Sequence, residues 1–411
     1  MKIVIVGGHL SPALAVVNAL PKDAKILFIG RKYTFEGDRG TSLEYNTIKS
    51  LKIPFVSIST GRWQREFTKH TIPSLLKIPY GFIQSFFILR KFKPEVVLSF
   101  GGYLSLPVGF SSLLLRIPIV IHEQTLEAGA ANRILSFFAN KICISWTSSA
   151  KFFPKGKTIL TGNPVRRFKI YDLRFKITDE DQKLPIIYVT GGSAGSHFIN
   201  TLVEGCLKEL LKEYVVIHQT GDAQEHRDFD RLNDLKDSLP LKLKARYQII
   251  KFVEPQEVGA VLQRADLVVG RSGINTITEL IFFEKPCLLI PLPYSQNNEQ
   301  IKNALFLKNQ GLGEILYQSK ALNSNKLLQV LTKMFDNIDK YRRDFGNRHS
   351  GEEGQRRLQN QIRKLVQDDK EERFWTSSPR SSFGEGGQND YREAAQRLVE
   401  VASYEAKLKK K

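Results

Sequence analysis

The sequence predicts an α/β protein made of two doubly wound domains, each with a parallel β-sheet covered by helices on both faces. Two observations carry this prediction. Short runs rich in Val and Ile alternate with helical stretches along both halves of the chain, which is the pattern of buried parallel strands joined by helical crossovers. The 411 residues are also too many for one average domain, so two domains are the natural expectation.

Each half contains five predicted strands. Those of the first half are KIVIV (2–6), KILFIG (25–30), EVVLSF (95–100), IPIVIHE (117–123) and KICIS (141–145). Those of the second half are PIIYVTGG (185–192), YVVIHQTG (214–221), YQIIKFV (247–253), ADLVVG (265–270) and PCLLIP (286–291). Nearly every strand ends at Gly, His, Gln or Ser, and ligands of such sheets bind at the carboxyl ends of the strands. The two halves are expected to join near TGNPVRRF (161–168).

The last part of the chain has a different composition. Beyond about residue 366 it is polar, contains Gly, Ser and Pro and has no apolar period, which is typical of a flexible segment. Within it, YREAAQRLVEVASYEAKLKKK (391–411) fits a short amphipathic helix with a basic end. We therefore expect a flexible tail over residues 367–411 that contains a short helix.

The charge of the chain is strongly positive. Lys and Arg outnumber Asp and Glu by 61 to 42, a formal charge of +19, which favours nucleic acid, acidic lipid or phosphorylated ligands as partners. The sequence contains no RNP-type, helix-turn-helix or zinc-finger signature, and this argues against nucleic acid. Cys143, Cys206 and Cys287 lie far apart, as core cysteines of a reducing compartment do, and not as a disulfide frame or a zinc site.

Two apolar segments resemble membrane-targeting sequences. Residues 1–15 have only four apolar residues before the first glycine pair, too few for a signal peptide. Residues 104–121 contain Pro107, Arg116 and Pro118, which favour a helix followed by a buried strand over a bilayer span. We therefore expect a soluble, cytoplasmic chain.

Glycine pairs follow three of the predicted strands, in GGHLSPA (7–13), GGYLSLP (101–107) and GGSAGSHFIN (191–200). Paired glycines let the backbone approach a diphosphate closely and direct N–H groups at it. None of the three fits GxGxxG, which disfavours a nicotinamide oxidoreductase. One such turn is weak evidence, but three at equivalent strand ends of two matching halves indicate an anionic ligand.

The segment GRSGINTITEL (270–280) joins a predicted buried strand to a predicted helix. A helix N-terminus offers free N–H groups and a partial positive charge, and this suits a phosphate. Glu279 lies one to two turns into that helix, where it can accept hydrogen bonds from sugar hydroxyls. The alternative is an ordinary strand–helix turn with a glutamate on the helix surface.

Polar side chains lie at two further strand ends of the first half. His9 directly follows a glycine pair, where a histidine can act as a general base near neutral pH, or bond the backbone as a turn histidine. His122, Glu123 and Gln124 end another strand. Because no further ligand follows at a convincing spacing, hydroxyl recognition or structural bonding is favoured over a metal site.

Two segments of the second half add candidate ligands of a sugar nucleotide. In GNPVR, Arg166 can pair with a phosphate, although a plain hinge is equally consistent. Gln300 and Asn303 are three residues apart, so on a helix they share a face and can bind sugar hydroxyls together. A solvated helix N-terminus is the alternative for this pair.

The segment 71–93 combines an apolar stripe with flanking cations. The stripe, at helical spacing, is Ile78, Phe82, Phe86 and Leu89, and the cations are Lys69, Lys77, Arg90, Lys91 and Lys93. An apolar surface ringed by cations suits an anionic membrane leaflet. The alternative is a stripe that faces the protein core, which is the commoner role of such patterns.

Taken in order, these motifs resemble the MurG family, the N-acetylglucosaminyltransferases of peptidoglycan synthesis. The resemblance spans about residues 1–365. It is carried by GGH…SPA (7–13), GGY.S.P (101–107), HEQ…G..N (122–132), GNPVR (162–166), GGS.G….N (191–200), HQTG (218–221), SG…T..E (272–279) and EQ..NA (299–304).

The resemblance implies a GT-B fold with two Rossmann-like domains facing a cleft. The acceptor- and membrane-facing domain would span residues 1–163 and the UDP-sugar domain residues 164–342, with a C-terminal helix at about 343–366 packing back on the first. It implies transfer of N-acetylglucosamine from UDP-GlcNAc to the 4-hydroxyl of the muramyl sugar of lipid I, a polyprenyl-diphosphate-linked muramyl peptide. The products would be lipid II and UDP, with inversion at the anomeric carbon, and we expect neither a cofactor nor a metal ion.

The resemblance also implies a cellular setting: peptidoglycan synthesis, and with it cell shape and division. The chain would lie on the cytoplasmic face of the cell membrane, bound to its anionic surface and to other cell-wall synthesis proteins, with no nucleic acid as partner.

By motif position, the resemblance assigns the general base to His9 and a ribose-binding carboxylate to Glu279, the expected catalytic residues. The donor-binding positions are Arg166, Ser193, Phe252, Val253, Ile274, Asn275, Thr276, Glu279, Gln300 and Asn303, with Phe252 and Val253 beside the uracil. The acceptor-side positions are Gly7, Gly8, His9, Gly101, Gly102, Tyr103, His122, Glu123 and Gln124. Asn132 is a further substrate-binding position and matches the acceptor side.

The chain departs from the family pattern at its first loop, where the family has GGTGGH and this chain has IVIVGGH (3–9). The shorter loop bears on binding of the acceptor diphosphate. Thr125 stands where Asn is usual, and Ala194 and Ser196 stand where the family prefers Gln and Ala. Two alternatives stay open: a related GT-B transferase with another lipid-linked acceptor, and a non-catalytic, membrane-associated scaffold of the same fold.

Overall fold

In the computed structural model the described residues are 1–33, 41–61, 71–165, 181–192, 195–223, 225–254, 257–295, 298–349 and 388–409. They form two compact units. The first contains the residues up to 165 together with the last helix from Asn389 on, and the second contains those between 181 and 349.

The first unit is built on a seven-stranded parallel sheet with the strand order β3-β2-β1-β4-β5-β6-β7. The strands are β1 (Lys2–Val6), β2 (Lys25–Gly30), β3 (Phe55–Ser57), β4 (Val96–Ser99), β5 (Ile119–Glu123), β6 (Lys141–Ile144) and β7 (Thr158–Leu160). The helices between them are α1 (Leu10–Ala19), α2 (Leu43–Ser50), α3 (Thr71–Phe92), α4 (Ser105–Leu114) and α5 (Ala130–Ser136), and a 3₁₀ helix spans Thr147–Phe152.

The burial of strand β1 explains why its sequence is an unbroken apolar run. Ile3 and Ile5 point to one face of the sheet, where they join a core that includes α1, and Val4 and Val6 point to the opposite face, where they pack near α3 and α4. All four side chains are fully buried. A strand covered by helices on both faces has no solvent side, so it carries no polar alternation.

The second unit repeats this plan with a six-stranded parallel sheet of order β10-β9-β8-β11-β12-β13. The strands are β8 (Ile186–Thr190), β9 (Val215–Gln219), β10 (Tyr247–Ile250), β11 (Leu267–Gly270), β12 (Cys287–Leu289) and β13 (Gly313–Ile315). A 3₁₀ helix spans Asp181–Lys183, and the α-helices are α6 (His197–Glu204), α7 (Leu207–Glu213), α8 (Asp228–Asp237), α9 (Leu241–Arg246), α10 (Val258–Arg264), α11 (Ile274–Phe282), α12 (Glu299–Asn309), α13 (Ser324–Phe335) and α14 (Ile338–His349).

Each sheet reverses its strand order once. In the first unit β1 pairs with both β2 and β4, and in the second β8 pairs with both β9 and β11. At such a reversal the neighbouring crossovers leave to opposite faces and open a crevice at the carboxyl ends of the strands. The glycine turns after β1, β4, β8 and the turn after β11 therefore all lie where this fold places ligands, and the predicted α/β class with two parallel sheets is confirmed.

The last helix, α15 (Gln388–Leu408), belongs to the core of the first unit. Its apolar side chains Ala395, Leu398, Val399 and Ala402 are buried against β1 and α1. This corrects the expectation of a flexible tail for residues 388–409, because small and branched apolar residues at helical spacing give the helix a packed face. Of the segment expected to pack back on the first domain, residues 343–349 end α14 and residues 350–366 lie outside the described part of the chain, as do residues 367–387 of the expected tail.

Helix α3 turns its predicted apolar stripe partly inward. Leu89 is fully buried, and Phe82 and Phe86 are half-buried. Ile78 of the stripe is exposed, and from residue 77 on the other exposed large apolar residues of this helix are Tyr80, Ile83 and Phe87, which lie outside the stripe. Apolar residues cover more than one face of α3, so its period alone did not determine which face is exposed. No helix of the described residues has the length and apolar content needed to cross a bilayer.

Candidate functional site

The turn after β11 presents a helix N-terminus at the crevice of the second sheet. Helix α11 starts after Gly273, and no side chain caps it there. Uncapped N–H groups and the helix dipole favour a bound anion. Glu279, one turn further along α11, is buried, and so is Asn275 Oδ1, which has no hydrogen-bond partner among the described residues.

Ser272 connects this turn to the segment that holds Gln300 and Asn303. Its hydroxyl donates to the Gln300 carbonyl oxygen at 2.7 Å, and its carbonyl oxygen accepts from Asn303 Nδ2 at 2.9 Å. The side-chain oxygen of Gln300 accepts from the Leu292 N–H at 3.0 Å. Two motifs separated in sequence are thus brought together, as their shared assignment to one ligand requires.

Arg271 is a central residue of this site that the sequence analysis did not single out. Its guanidinium donates to the Ile290 carbonyl oxygen, to Gln318 Oε1 and to Ser196 Oγ, at 2.8–2.9 Å. Burial lowers its pKa to about 10, so the group stays charged at neutral pH. The only signal in the sequence is an arginine directly after a buried strand, because its three partners are long-range contacts.

Gln219 joins the glycine turn after β8 to the loop of Phe252 and Val253. Its amide nitrogen donates to the Gly192 carbonyl oxygen at 2.9 Å, and its amide oxygen accepts from the Val253 N–H at 3.2 Å. The Val253 N–H is therefore engaged within the protein, whereas the Phe252 ring is about half exposed. This arrangement gives the Gln of the HQTG motif a structural role.

A cavity of about 950 Å³ opens at this crevice. Among the predicted donor positions Thr276 and Gln300 line it, together with Gly191, Gly192, Arg271 and His197. Ile274, Asn275, Glu279 and Asn303 lie on the same two helices without lining it. The predicted positions Arg166 and Ser193 lie outside the described residues.

In the first unit the two glycine turns pack against each other. A side chain at Gly8 would meet the Gly101 carbonyl oxygen at 2.4 Å, so only glycine allows this approach. Gly101 and Gly102 have φ near +80°, which L-residues rarely adopt. Asn132 faces Gly101 from α5, and Tyr103 packs partly buried beside α4.

Glu123 lies behind these turns and not at the surface of the site. It is 1 % exposed, and its oxygens accept from the Thr125 N–H, the Gly129 N–H and Asn132 Nδ2 at 2.9–3.0 Å. A buried carboxylate with this many donors fixes a loop. Of the predicted acceptor positions, Glu123 and the fully buried His122 can therefore shape the site but do not face it.

His9 is the N-cap residue of α1, directly after the first glycine turn, and is half-buried. Its Nδ1 lies 3.4 Å from the Phe100 carbonyl oxygen and in contact with the side-chain amide of Gln124. Burial lowers the pKa of His9, which the hydrogen bond to Phe100 partly offsets. A neutral imidazole at physiological pH can accept a proton. Within the described residues no cluster of three or more His, Cys, Asp or Glu side chains could hold a metal ion.

Two domain families match the chain in the order of its two units. Residues 6–144 match the glycosyltransferase family 28 N-terminal domain, and residues 186–362 match the glycosyltransferase family 28 C-terminal domain. A protein of Treponema denticola, UDP-N-acetylglucosamine–N-acetylmuramyl-(pentapeptide) pyrophosphoryl-undecaprenol N-acetylglucosamine transferase, is 35 % identical over 320 residues, which cover 75 % of this chain and 81 % of the relative. The chain belongs to the MurG family.

Other MurG relatives agree with this assignment. A transferase of the same name from Clostridium kluyveri is 33 % identical over 343 residues, covering 81 % of this chain and 91 % of the relative. The crystal structure of MurG from Acinetobacter baumannii superposes with a TM-score of 0.62 at 23 % identity and covers 98 % of this chain and 99 % of that one. The GT-B fold expected for a MurG protein is thereby confirmed.

Within this MurG-family fold, the connection between β1 and α1 is only three residues long, from Gly7 to His9. Ser196, which departs from the family pattern, also has a structural explanation. It is the N-cap of α6, accepting from the Ile199 N–H at 3.4 Å, and it accepts a second hydrogen bond from Arg271.

Proposed function

We propose that this protein transfers N-acetylglucosamine from UDP-GlcNAc to the 4-hydroxyl of the muramyl sugar of lipid I, producing lipid II and UDP with inversion of the anomeric carbon. The observation that carries the proposal is the 950 Å³ cavity at the strand reversal of the second sheet, in a chain whose relatives are transferases of this name. A cavity of this size accommodates a nucleotide sugar.

The second unit would bind the donor. The uncapped start of α11 offers N–H groups to the diphosphate beside the glycine turn after β8, and the half-buried, charged Arg271 adds positive potential. Glu279 on α11 would accept hydrogen bonds from the ribose, and Gln300 on α12 would bind the sugar. Asn303, which is fully buried, would hold the turn before α11 through its hydrogen bond to Ser272. The same N–H groups would stabilise the negative charge that develops on the leaving UDP.

The first unit would supply the base. His9 Nε2 takes the proton of the acceptor hydroxyl while the hydroxyl oxygen forms a bond to C1 of N-acetylglucosamine. The bond from C1 to the UDP oxygen breaks at the same time, and its electron pair leaves with UDP. The lowered pKa of His9 supports this role, because the ring is neutral and ready to accept the proton at the working pH.

A second candidate function has one structural observation in its favour. The three-residue connection from β1 to α1 is shorter than the family's first loop, which is expected to meet the acceptor diphosphate. A related lipid-linked acceptor with a differently shaped headgroup would then be the substrate, with the same donor and the same base.

Transfer of labelled N-acetylglucosamine from UDP to a short-chain lipid I analogue tests the proposal. A panel of other polyprenyl-linked sugars, offered with the same donor, separates the two candidates. We expect transfer to the lipid I analogue. Binding of UDP-GlcNAc without transfer to any acceptor of the panel would contradict both candidates and leave a non-catalytic member of the fold.

We also propose that the first unit docks on the cytoplasmic face of the membrane through an exposed apolar patch. The patch consists of Tyr80, Ile83, Phe87, Phe110, Leu113, Leu114, Ile134, Phe137 and Phe138. An apolar groove lies between α3 and α4, and Phe110 and Phe138 contact each other across α4 and α5, so the patch is continuous. Exposed Lys77, Arg90, Arg116 and Arg133 add positive charge from the same helices and the turn after α4. Apolar area plus cations suits an anionic leaflet.

Flotation with vesicles tests the docking. The double variant Leu114→Glu and Phe137→Glu is expected to lose binding to vesicles that contain phosphatidylglycerol. The matched control is Leu241→Glu, because Leu241 is equally an exposed leucine but lies in the second unit. Equal loss in the control, or no binding by the wild type, would contradict the docking proposal.

A further inference from the structure

One glutamine side chain joins two histidines of the first unit. Gln124 follows β5, and its terminal amide contacts His9 Nδ1. The same side chain also acts on the ring of His122, which is fully buried. Because an amide has one donating and one accepting end, its orientation decides which nitrogen of each ring carries a proton.

The proton of His122 is fixed by its surroundings. His122 Nε2 lies 3.2 Å from the Gly162 carbonyl oxygen and 3.2 Å from Ser145 Oγ. A carbonyl oxygen only accepts, so Nε2 must carry the proton. Burial lowers the pKa of His122 to about 4, so the ring is neutral and its Nδ1 is an acceptor that needs a donor.

The proton of His9 is fixed in the same way. His9 Nδ1 lies 3.4 Å from the Phe100 carbonyl oxygen, which again only accepts. The Nδ1 atom must therefore carry the proton, and the group that Gln124 turns toward it must be an acceptor as well. In a neutral ring this leaves the lone pair on Nε2, the atom that a general base uses.

Only one orientation of the Gln124 amide satisfies both rings. With its nitrogen toward His9, the amide donates to the Phe100 carbonyl oxygen only at 3.5 Å, and Gln124 Oε1 and His122 Nδ1 are both buried without a hydrogen-bond partner among the described residues. With the amide turned over, its oxygen accepts from His9 Nδ1–H and its nitrogen donates to His122 Nδ1. Leaving a buried polar atom unpaired destabilises the fold, and this favours the turned orientation.

We propose that Gln124 is a positioning residue that holds His9 as the Nδ1–H tautomer, with the Gly162 carbonyl and His122 setting the direction of the hydrogen bonds. The role rests on the proposed function of His9 as the general base. When His9 Nε2 takes the proton of the acceptor hydroxyl, the oxygens of Gln124 and Phe100 both accept from Nδ1–H and stabilise the positive charge. The proton then leaves Nε2 to water after UDP has departed.

The tautomer can be measured without any enzymatic activity. Long-range ¹H–¹⁵N spectra of the full chain with ¹⁵N-labelled histidine show which ring nitrogen carries the proton, and His9→Gln identifies the His9 signals. We expect Nδ1–H in the wild type and a mixture of tautomers in Gln124→Met, which keeps the side-chain length but removes both ends of the amide. The Nε2–H tautomer in the wild type would overturn the proposal, whether or not the protein transfers a sugar.

Kinetics separate positioning from a structural role. Gln124→Met is expected to lower kcat by about 10- to 100-fold and to leave KM for UDP-GlcNAc unchanged. This loss is smaller than the contribution of a general base, which is about 100- to 10,000-fold. Gln248→Met is the matched control, because the Gln248 amide donates to the local Ala245 carbonyl oxygen of the second unit at 2.8 Å. If the wild type transfers no sugar, the proposed function is contradicted, and the NMR spectra alone then decide whether Gln124 fixes the tautomer of His9.

The pH profile gives the sharpest test. In Gln124→Glu a carboxylate accepts from His9 Nδ1–H, so the pKa of His9 rises and the acid limb of kcat/KM moves to higher pH. Glu123, Arg31 and His122 are the other charged or titratable groups that act on His9, and the substitution leaves them unchanged. An acid limb that stays in place would show that Gln124 only packs the loop.

Discussion

Arg271 donates a hydrogen bond of 2.8 Å to Ser196 Oγ, which ties the turn after β11 to the first turn of α6. The two residues are 75 positions apart in the chain. They lie on the two turns that flank the strand reversal of the second sheet, so the opposite walls of the donor-side cavity are held by one guanidinium.

Replacing that guanidinium is expected to loosen the donor side. In Arg271→Lys a single ammonium cannot replace the planar guanidinium that bonds three acceptors, and acceptors such as the buried Ile290 carbonyl oxygen lose their partner. We expect the Kd for UDP to rise about tenfold, a loss of about 1.4 kcal/mol, and the free energy of unfolding to fall by about 1–3 kcal/mol. Calorimetric titration with UDP and urea unfolding measure the two effects. Arg264→Lys, at an exposed position of α10, is the control. If Arg271→Lys binds UDP and unfolds as Arg264→Lys does, Arg271 does not hold the two turns together.

The position of Glu279 on α11 predicts a contact with the ribose of UDP. Glu279→Gln is expected to weaken UDP binding by about 1.5–3 kcal/mol, because hydrogen bonds to a charged acceptor are replaced by neutral ones. The wild type should lose a similar amount with 2′,3′-dideoxyuridine diphosphate, and combining both changes should cost little more than either alone. Fully additive losses would place the Glu279 contact elsewhere than on the ribose.

The base on the first unit makes a prediction about pH. The neutral form of His9 is the active one, and burial lowers its pKa. We therefore expect kcat/KM to stay constant as the pH falls past the ordinary histidine pKa of about 6.5. Below the pKa of His9 in the folded protein, kcat/KM should fall about tenfold per pH unit. His9→Gln should lower kcat by about 100- to 10,000-fold and remove that limb. UDP binding should not change, since the donor-side cavity is lined by residues of the second unit. Persistence of the acid limb in His9→Gln would assign the base to another group.

The last helix makes a prediction about stability. Leu398 is fully buried in the core of the first unit, so Leu398→Ala should lower the free energy of unfolding of that unit by about 2–5 kcal/mol. Gln396→Ala, at an exposed position of the same helix, should leave it nearly unchanged. Denaturant unfolding followed by circular dichroism compares the two. Equal stability of both variants would mean that α15 does not contribute to the core.

Much of the fold follows from local sequence, and the exceptions have physical reasons. Runs such as 2–6 and 265–270 identify central strands, because both faces of those strands are buried by apolar side chains. The strands β3, β7 and β13 were not predicted. Each has only three residues and is an edge strand of its sheet, so it carries little apolar patterning.

The candidate site was predictable where a motif is local. The helix start at Gly273 and the glycine turns follow from residue types that adjoin each other in the chain. The contacts of Arg271, and the link from Gln124 to His9 across 115 residues, arise only when distant strands pair. The exposed face of α3 stayed open in the sequence for a related reason, since apolar residues cover several of its faces and only packing against α4 decides which is covered.

The packing of α15 into the first unit has a consequence for synthesis. Its residues are translated after the whole of the second unit, and Ser403 meets Met1 across 402 positions of the chain. The sheet of the first unit is therefore translated well before α15, and part of its apolar surface stays uncovered while the second unit is synthesised. A nascent chain interrupted between the two segments exposes that surface to chaperones and proteases, so the first unit completes its core only after the second unit has been translated.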